Sequence, residues 1–443
     1  MQTLFTPETL ARPGMVEAEG ILRTCVHCGF CTATCPTYVT LGNELDSPRG
    51  RIYLIKEMFE QGRPADATVA RHVDRCLSCL ACTTTCPSGV DYAHLIDMAR
   101  AHVEATYARP WFDRLLRAML TRILTHPTRF RLALVAARIA RPLARLLPRT
   151  GALAPVAAMI EMVPHRLPRP LADTPTSLPA PAPASTPDAA RRVLLLDGCA
   201  QSVLDPGINA ATCRLLARAG VQAISLPQAA CCGALPQHMG RPDQARALAR
   251  ATITAWEPWL DRVEAVVITA SGCGSAVKDW PHLFRDDPDW SARAARAAGM
   301  ALDVTQYLAR LSLPPSQARP LKVAYHAACS LQHGQKITAP PRDLLRAAGF
   351  HVVEPAEGHL CCGSAGTYNL LQPRIAGQLG QRKAAALART GADVVAAGNI
   401  GCLTQIARHG VLPVVHVVEL LDWAHGGPPP AALSDQMPAM TAN

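Results

Sequence analysis

The chain has few aromatic side chains, 5% of its 443 residues. It has no apolar run of the ~18–20 residues that a membrane-spanning helix requires. Its start, MQTLFTPETLARPGMVEAEG, carries neither an early positive charge nor an apolar stretch, so no secretory leader is expected. No G-x-G-x-x-G follows an apolar strand and opens a helix, and the GCAQS after residues 193–196 lacks those glycines. The usual dinucleotide-binding turn is therefore excluded. Lysine is absent between residues 100 and 192, where 15 Arg stand against Glu104, Asp113, Glu161, Asp173 and Asp188. That local excess equals the net charge of the whole chain, +10. A basic stretch suits an acidic partner, an anionic lipid surface or nucleic acid, but no nucleic-acid motif accompanies it. The expectation is a cytoplasmic protein, at most resting on the inner face of the cytoplasmic membrane, with no nucleic-acid partner.

What the chain does have is cysteine, 17 in all. An odd number cannot pair completely within one chain. In a reducing compartment, patterned cysteines serve more often as metal ligands than as disulfides. CVHCGFCTATCP (25–36) returns as CLSCLACTTTCP (76–87). Each copy is C-x2-C-x2-C-x3-C-P. Three cysteines on a turning loop can reach three irons of one cubane, and in two-cluster ferredoxins the fourth ligand comes from the other copy. This assigns Cys25, Cys28, Cys31 and Cys86 to one [4Fe–4S] cluster, and Cys76, Cys79, Cys82 and Cys35 to a second. Pro36 and Pro87 turn the chain away, while Gly29, Ala33, Ser78 and Ala81 leave room. A lone C-x2-C pair also suits zinc; two complete copies favour iron–sulfur. His27 could tune a potential or donate to a sulfur, but a solvent-facing ring is the plainer expectation.

The chain divides into residues 1–103 with the twin motif, an Arg-rich helical region 104–163, a Pro/Ala-rich linker 164–190, two cysteine-rich units 191–318 and 319–425, and a disordered tail 426–443. Ser47 and Pro48 predict a helix start, Gly62 a stop, and Ile52, Ile55, Met58 and Phe59 one apolar face. A second helix is predicted over HLIDMARAHVEAT. Pro142 is expected to break the Arg-rich helix.

The last two units are a duplication. RRVLLLDGC (191–199) matches LKVAYHAAC (321–329), CCGA (231–234) matches CCGS (361–364), and TASGC (269–273) matches GNIGC (398–402). Each half reads as strand, helix, strand, CCG turn, long helix, and a third strand ending in Gly-Cys. The expected class is α + α/β: a helical ferredoxin domain followed by two α/β lobes with largely parallel sheets. Cys199, Cys231, Cys232 and Cys273, and Cys329, Cys361, Cys362 and Cys402, would lie at strand ends, where sites in α/β sheets gather. They are candidates for a further cluster, a metal or a redox-active thiol pair, or are inert buried thiols. Gly233 and Gly363 let the backbone bend closely. Cys213 lies outside the pattern and is expected in the core.

The helix-filled gap between the motifs resembles the α-helical ferredoxin domain of succinate dehydrogenase and heterodisulfide reductase iron–sulfur subunits. The CCG halves resemble the cysteine-rich domain of heterodisulfide reductases and their relatives. That pattern ends in C-x2-C, whereas here each half ends in a single Cys. The whole arrangement resembles the iron–sulfur subunits of glycolate oxidase, anaerobic glycerol-3-phosphate dehydrogenase and lactate-utilisation systems. The likeness to the glycolate oxidase family is carried by residues 21–62, 74–92, 196–201, 269–274, 359–370 and 399–402. It implies an oxidoreductase complex in which partner subunits hold FAD and oxidise the 2-hydroxy acid. This chain would have no catalytic residue of its own and would pass electrons toward a quinone or another acceptor. D-lactate and glycerol-3-phosphate are the rival substrates. Disulfide or quinone reduction at the CCG sites, and a purely structural assembly role for that region, are rival roles.

Overall fold

The computed structural model describes residues 1–142, 148, 151, 153–164, 168, 191–229, 231–317, 320–410 and 412–434. Most of the linker 164–190 and the tail from 435 lie outside the described residues. The tail's beginning is ordered: Ala431–Ser434 form a helical turn with Leu433 buried.

The N-terminal region is helical. Ser47 caps the helix Pro48–Glu60, its Oγ accepting from the Gly50 amide at 3.0 Å. Ile52, Ile55, Met58 and Phe59 are at most 3% exposed and face the core, so the apolar stripe lies where its spacing put it. They pack with Val69 and Val73 of the helix Ala67–Asp74 and with Leu95, Ile96 and Ala99 of the helix Tyr92–Thr106. Between these helices run the two cysteine loops, each entering a short helix, Phe30–Thr34 or Ala81–Thr85, and these two helices lie against each other.

The Arg-rich region forms helices Trp111–Leu124, Pro127–Ala140 and Ala154–Glu161. The second ends two residues before Pro142, as expected of a residue that cannot extend a helix. Its arginines divide by role. Arg109 and Arg117 are buried and share Asp74 at 2.7 and 2.9 Å, tying this region to the ferredoxin helices. Arg114, Arg122, Arg129 and Arg138 are exposed.

Each cysteine-rich half is a four-stranded, all-parallel sheet. The first has strands β1 (Arg191–Leu196), β2 (Val221–Ser225), β3 (Ala265–Ile268) and β4 (Ala301–Asp303) in the order β2-β1-β3-β4. The second has β5 (Lys322–His326), β6 (His351–Val353), β7 (Val394–Ala397) and β8 (Val414–His416) in the equivalent order β6-β5-β7-β8. Helices cover both faces, and β1, β3 and β7 are near-continuous apolar runs, as parallel strands buried on both sides must be. The fourth strands, three residues each, went unforeseen. So did the position of the Gly-Cys pairs, which sit in the first turn of helices Ser271–Lys278 and Ile400–His409 rather than on the third strands.

The two lobes meet at their site-bearing edges. Ser271 Oγ and Ser330 Oγ are 2.7 Å apart, Gln335 Nε2 donates to the Ser271 carbonyl at 3.0 Å, and His416 Nε2 donates to the Thr269 carbonyl at 3.0 Å. Buried Asp422 of the second lobe accepts from Arg214 and Arg218 of the first. The ferredoxin region docks on both lobes: Thr84 Oγ1 lies 2.8 Å from His333 Nδ1, and Arg241 pairs with Glu104 at 2.8 Å.

Candidate iron–sulfur and cysteine-rich sites

The two cysteine loops share one backbone solution. His27 and Gly29 in the first, and Ser78 and Leu80 in the second, have φ of 56°, 83°, 48° and 60°. Two left-handed residues per loop coil the chain tightly around a point, which an extended or helical chain could not do. Only Gly29 takes that conformation without cost; a β-carbon at Leu80 is strained by about 1–2 kcal/mol. At Gly29 a β-carbon would also stand 2.6 Å from Arg49 Nη1.

Two cavities lie inside the loops. Cys25, Cys28, Cys31 and Cys86 line one, and Cys35, Cys76 and Cys79 line the other, with Cys82 bordering both. Cys35 thus faces the cavity of the second loop, and Cys86 that of the first. The donor set suits iron–sulfur chemistry. Burial pushes the thiols of Cys79 and Cys82 far up and that of Cys31 to about 11, so these sulfurs become thiolates only when a cation compensates them. Polar groups point at a fourth sulfur, that of Cys76: Tyr92 Oη donates to it at 3.8 Å and the Ser78 amide at 3.5 Å.

The second cavity also has a buried cation beside it. Arg51, 1% exposed, donates from Nη1 toward Cys35 Sγ at 3.9 Å, from Nη2 to Thr37 Oγ1 at 3.0 Å and from Nε to the His72 carbonyl at 2.6 Å. Asp46, fully buried, stands behind it and pairs with His72 and Arg75 at 2.7 and 2.9 Å. Burial alone would lower the Arg51 pKa, but the surrounding Tyr92, Cys76, Cys35 and Asp46 hold it above its usual value. Sequence reasoning missed this arginine because it looked like one more polar residue on the helix Pro48–Glu60. His27 is a correction of a different kind. Its ring is half-buried, with Nε2 enclosed and without a hydrogen-bond partner among the described residues, on a backbone at φ 56°.

The two loops differ in exposure. Around the first, Cys28 is exposed, and Val26 and Phe30 are each 65% exposed. Around the second, Leu77, Cys79 and Ala81 pack with Cys361, Tyr368 and Ile375 of the second lobe, and Cys329 borders the same cluster.

The eight remaining patterned cysteines converge at the C-terminal edges of their sheets. Cys199 follows β1, Cys231 and Cys232 follow β2, and Cys273 opens the helix after β3; the second lobe repeats this with Cys329, Cys361, Cys362 and Cys402. Within the first lobe the side chain of Cys231 lies beside those of Cys199 and Cys232, and that of Cys232 beside Cys273. Within the second, Cys329 and Cys361 stand 3.8 Å apart, and Cys362 contacts both Cys361 and Cys402. Gly233 and Gly363, at φ 83° and 88°, make the turns possible; a β-carbon on either would meet a helix carbonyl at 2.7 Å. Cys213 packs half-buried against the core, its thiol pushed up to about 12 mainly by burial.

Comparison with known proteins agrees with this layout. A 4Fe-4S dicluster domain profile matches residues 21–90, which gives the chain two [4Fe–4S] clusters, and a cysteine-rich domain profile matches 193–278 and 323–407. The glycolate oxidase iron–sulfur subunit of Escherichia coli K12 is 40% identical over 96% of this chain and 99% of its own length. The probable glycolate oxidase iron–sulfur subunit of Bacillus subtilis 168 is 34% identical over 91% and 93%. Lactate utilization protein A of an Exiguobacterium strain is 29% identical over 52% of this chain and 96% of its own. A hypothetical protein from Helicobacter pylori shares the fold at 10% identity, with a TM-score of 0.52 over 98% of this chain and 75% of that one. Likeness of this extent, continuous through the cluster-bearing and the cysteine-rich parts, makes the chain a member of the glycolate oxidase iron–sulfur subunit family.

Proposed function

We propose that this chain is the electron-conducting subunit of a flavin-dependent glycolate oxidase complex, and that Cys25, Cys28, Cys31 and Cys86 hold one cubane while Cys76, Cys79, Cys82 and Cys35 hold the other. Such clusters supply one-electron steps that split the electron pair of a reduced flavin. The chain's own residues set distance, dielectric and access. The open side of the first loop, with Val26 and Phe30 exposed, suits the approach of a flavin-bearing partner subunit. The second loop, enclosed by the second lobe, keeps its sulfurs from water and lets Arg51 act at short range. From there electrons leave toward a quinone or another acceptor.

The observation that carries the ligand assignment is the exchange of Cys35 and Cys86 between the two cavities. Its test is Cys86→Ser in the anaerobically purified full chain. Electron paramagnetic resonance should show the cluster of the first loop altered or lost and that of the second retained. Loss confined to the second cluster would refute the assignment.

A cytoplasmic site at the membrane surface is supported by the exposed face of the Arg-rich helices. Trp111, Leu115, Met119, Leu132, Val135 and Ile139 are 43–76% exposed there, beside Arg114, Arg122, Arg129 and Arg138. That mixture suits insertion at an anionic headgroup layer. No described helix is long and apolar enough to cross a membrane. Co-sedimentation with anionic vesicles should be lost in Trp111→Glu; equal binding to neutral vesicles, or none, would remove the lipid reading.

A further inference from the structure

His326 ends β5 and is 1% exposed, yet both of its ring nitrogens are buried without a hydrogen-bond partner among the described residues. A buried imidazole in that condition forgoes what water would give it. The ring is aimed at sulfur: a ring nitrogen, Cys362 Sγ and Cys402 Sγ all lie within 4.8 Å of one another. Cys361 Sγ contacts Cys362 and lies 3.8 Å from Cys329. Three donors that close can converge on one ion with Zn–S near ~2.3 Å and Zn–N near ~2.0 Å, and Cys361, in contact with Cys362, offers a further sulfur. The twin motif differs, since its sulfurs surround open cavities.

The other lobe shows what the site looks like without these features. The duplication sets Leu196 opposite His326, and Leu196 packs with Cys232 in an apolar cluster. The matching contacts of Gly233 with Ala245 and of Gly363 with Ala376 set Thr252 opposite Lys383. Lys383 is 3% exposed, donates to the Glu357 carbonyl at 2.8 Å and lies within electrostatic range of Cys361, Cys362 and Cys402. Three thiolates and a divalent ion leave one negative charge, which the Lys383 ammonium offsets.

We propose that the second lobe binds one zinc-class divalent ion through His326, Cys361, Cys362 and Cys402, and that the first lobe, with leucine in place of the histidine, lacks this site. A closed tetrahedral zinc has no redox chemistry and acts structurally. Here it would tie the CCG turn to the end of β5 and to the first turn of the helix Ile400–His409. The proposal is separate from the conduction reading, because the two cubanes use none of these four residues.

The test is metal analysis of the full chain purified anaerobically. Wild type should hold about one zinc beside the eight irons of two cubanes. His326→Leu should lose the zinc and keep the irons, whereas Cys199→Ser in the first lobe should keep both. Zinc absent from wild type after incubation with zinc salt, or unchanged in His326→Leu, overturns the site. An iron content near twelve overturns it too, since a third cluster would then occupy the lobe. Should His326→Leu fail to fold, zinc-edge X-ray absorption of the wild type decides: three sulfurs and one nitrogen are expected, and four sulfurs refute histidine ligation. Failure of the conduction reading would instead show as fewer than eight irons with the zinc in place.

Discussion

Replacing Arg51 by Gln should lower the reduction potential of the second cluster without expelling it. The guanidinium nitrogen stands 3.9 Å from Cys35 Sγ in a site that water does not reach. A unit charge at ~4 Å is worth about 4 kcal/mol at an effective dielectric of ~20. The incoming electron spreads over the cluster beyond the sulfur, at roughly twice that distance, which halves the figure to about 2 kcal/mol. At ~59 mV per tenfold change for one electron, the potential should fall by about 80 mV. Arg51→Lys keeps the charge and should lose much less. Asp46 retains Arg75 and His72 in either variant, so its carboxylate is not left alone. The assay is a redox titration followed by electron paramagnetic resonance, with iron content checked first. An unchanged second-cluster potential in an Arg51→Gln protein that still holds eight irons would refute the reasoning.

Three further outcomes follow from the geometry. Burial would lower the pKa of His94, but hydrogen bonds to Asp279 and Asp91 hold it up at about 10. A raised histidine contributes stability that is complete below its unfolded value of ~6.5 and fades as pH climbs toward 10. Thermal unfolding should therefore lose stability from pH 7 to 10 more steeply in wild type than in His94→Gln, and parallel curves would argue against the pairing. Gly363→Ala, with φ 88° and a carbonyl 2.7 Å from the new carbon, should lose at least ~2 kcal/mol in denaturant melts. Gly377→Ala, inside a helix with nothing within 4 Å, should be neutral or gain up to ~1 kcal/mol.

Much of the organisation was legible in residue spacing. Ser47, Pro48 and the Ile52–Phe59 stripe specified a helix because capping and amphipathic period act within a few residues. The 130-residue offset of the CCG turns announced two like lobes, since repeated sequence repeats its fold. The three-residue strands β4 and β8 were not legible, being too short to show a period. Leu80 gave no sign of its left-handed backbone, because an apolar residue there breaks the local preference and is held by the loop around it. His326 could have been noticed by setting the two halves side by side, where leucine stands against it.

The sequence by itself determined the number and spacing of the cysteine motifs and the duplication, all of which depend on neighbours along the chain. Only the tertiary structure decided that the second loop, not the first, is enclosed by the second lobe, and that Arg51 is driven in beside Cys35. It also decided that one lobe aims an imidazole at its sulfurs while its twin aims a leucine among apolar neighbours. These arrangements join residues tens to hundreds of positions apart. Their energies come from burial and from charge in a dry interior, neither of which is present until the elements have packed.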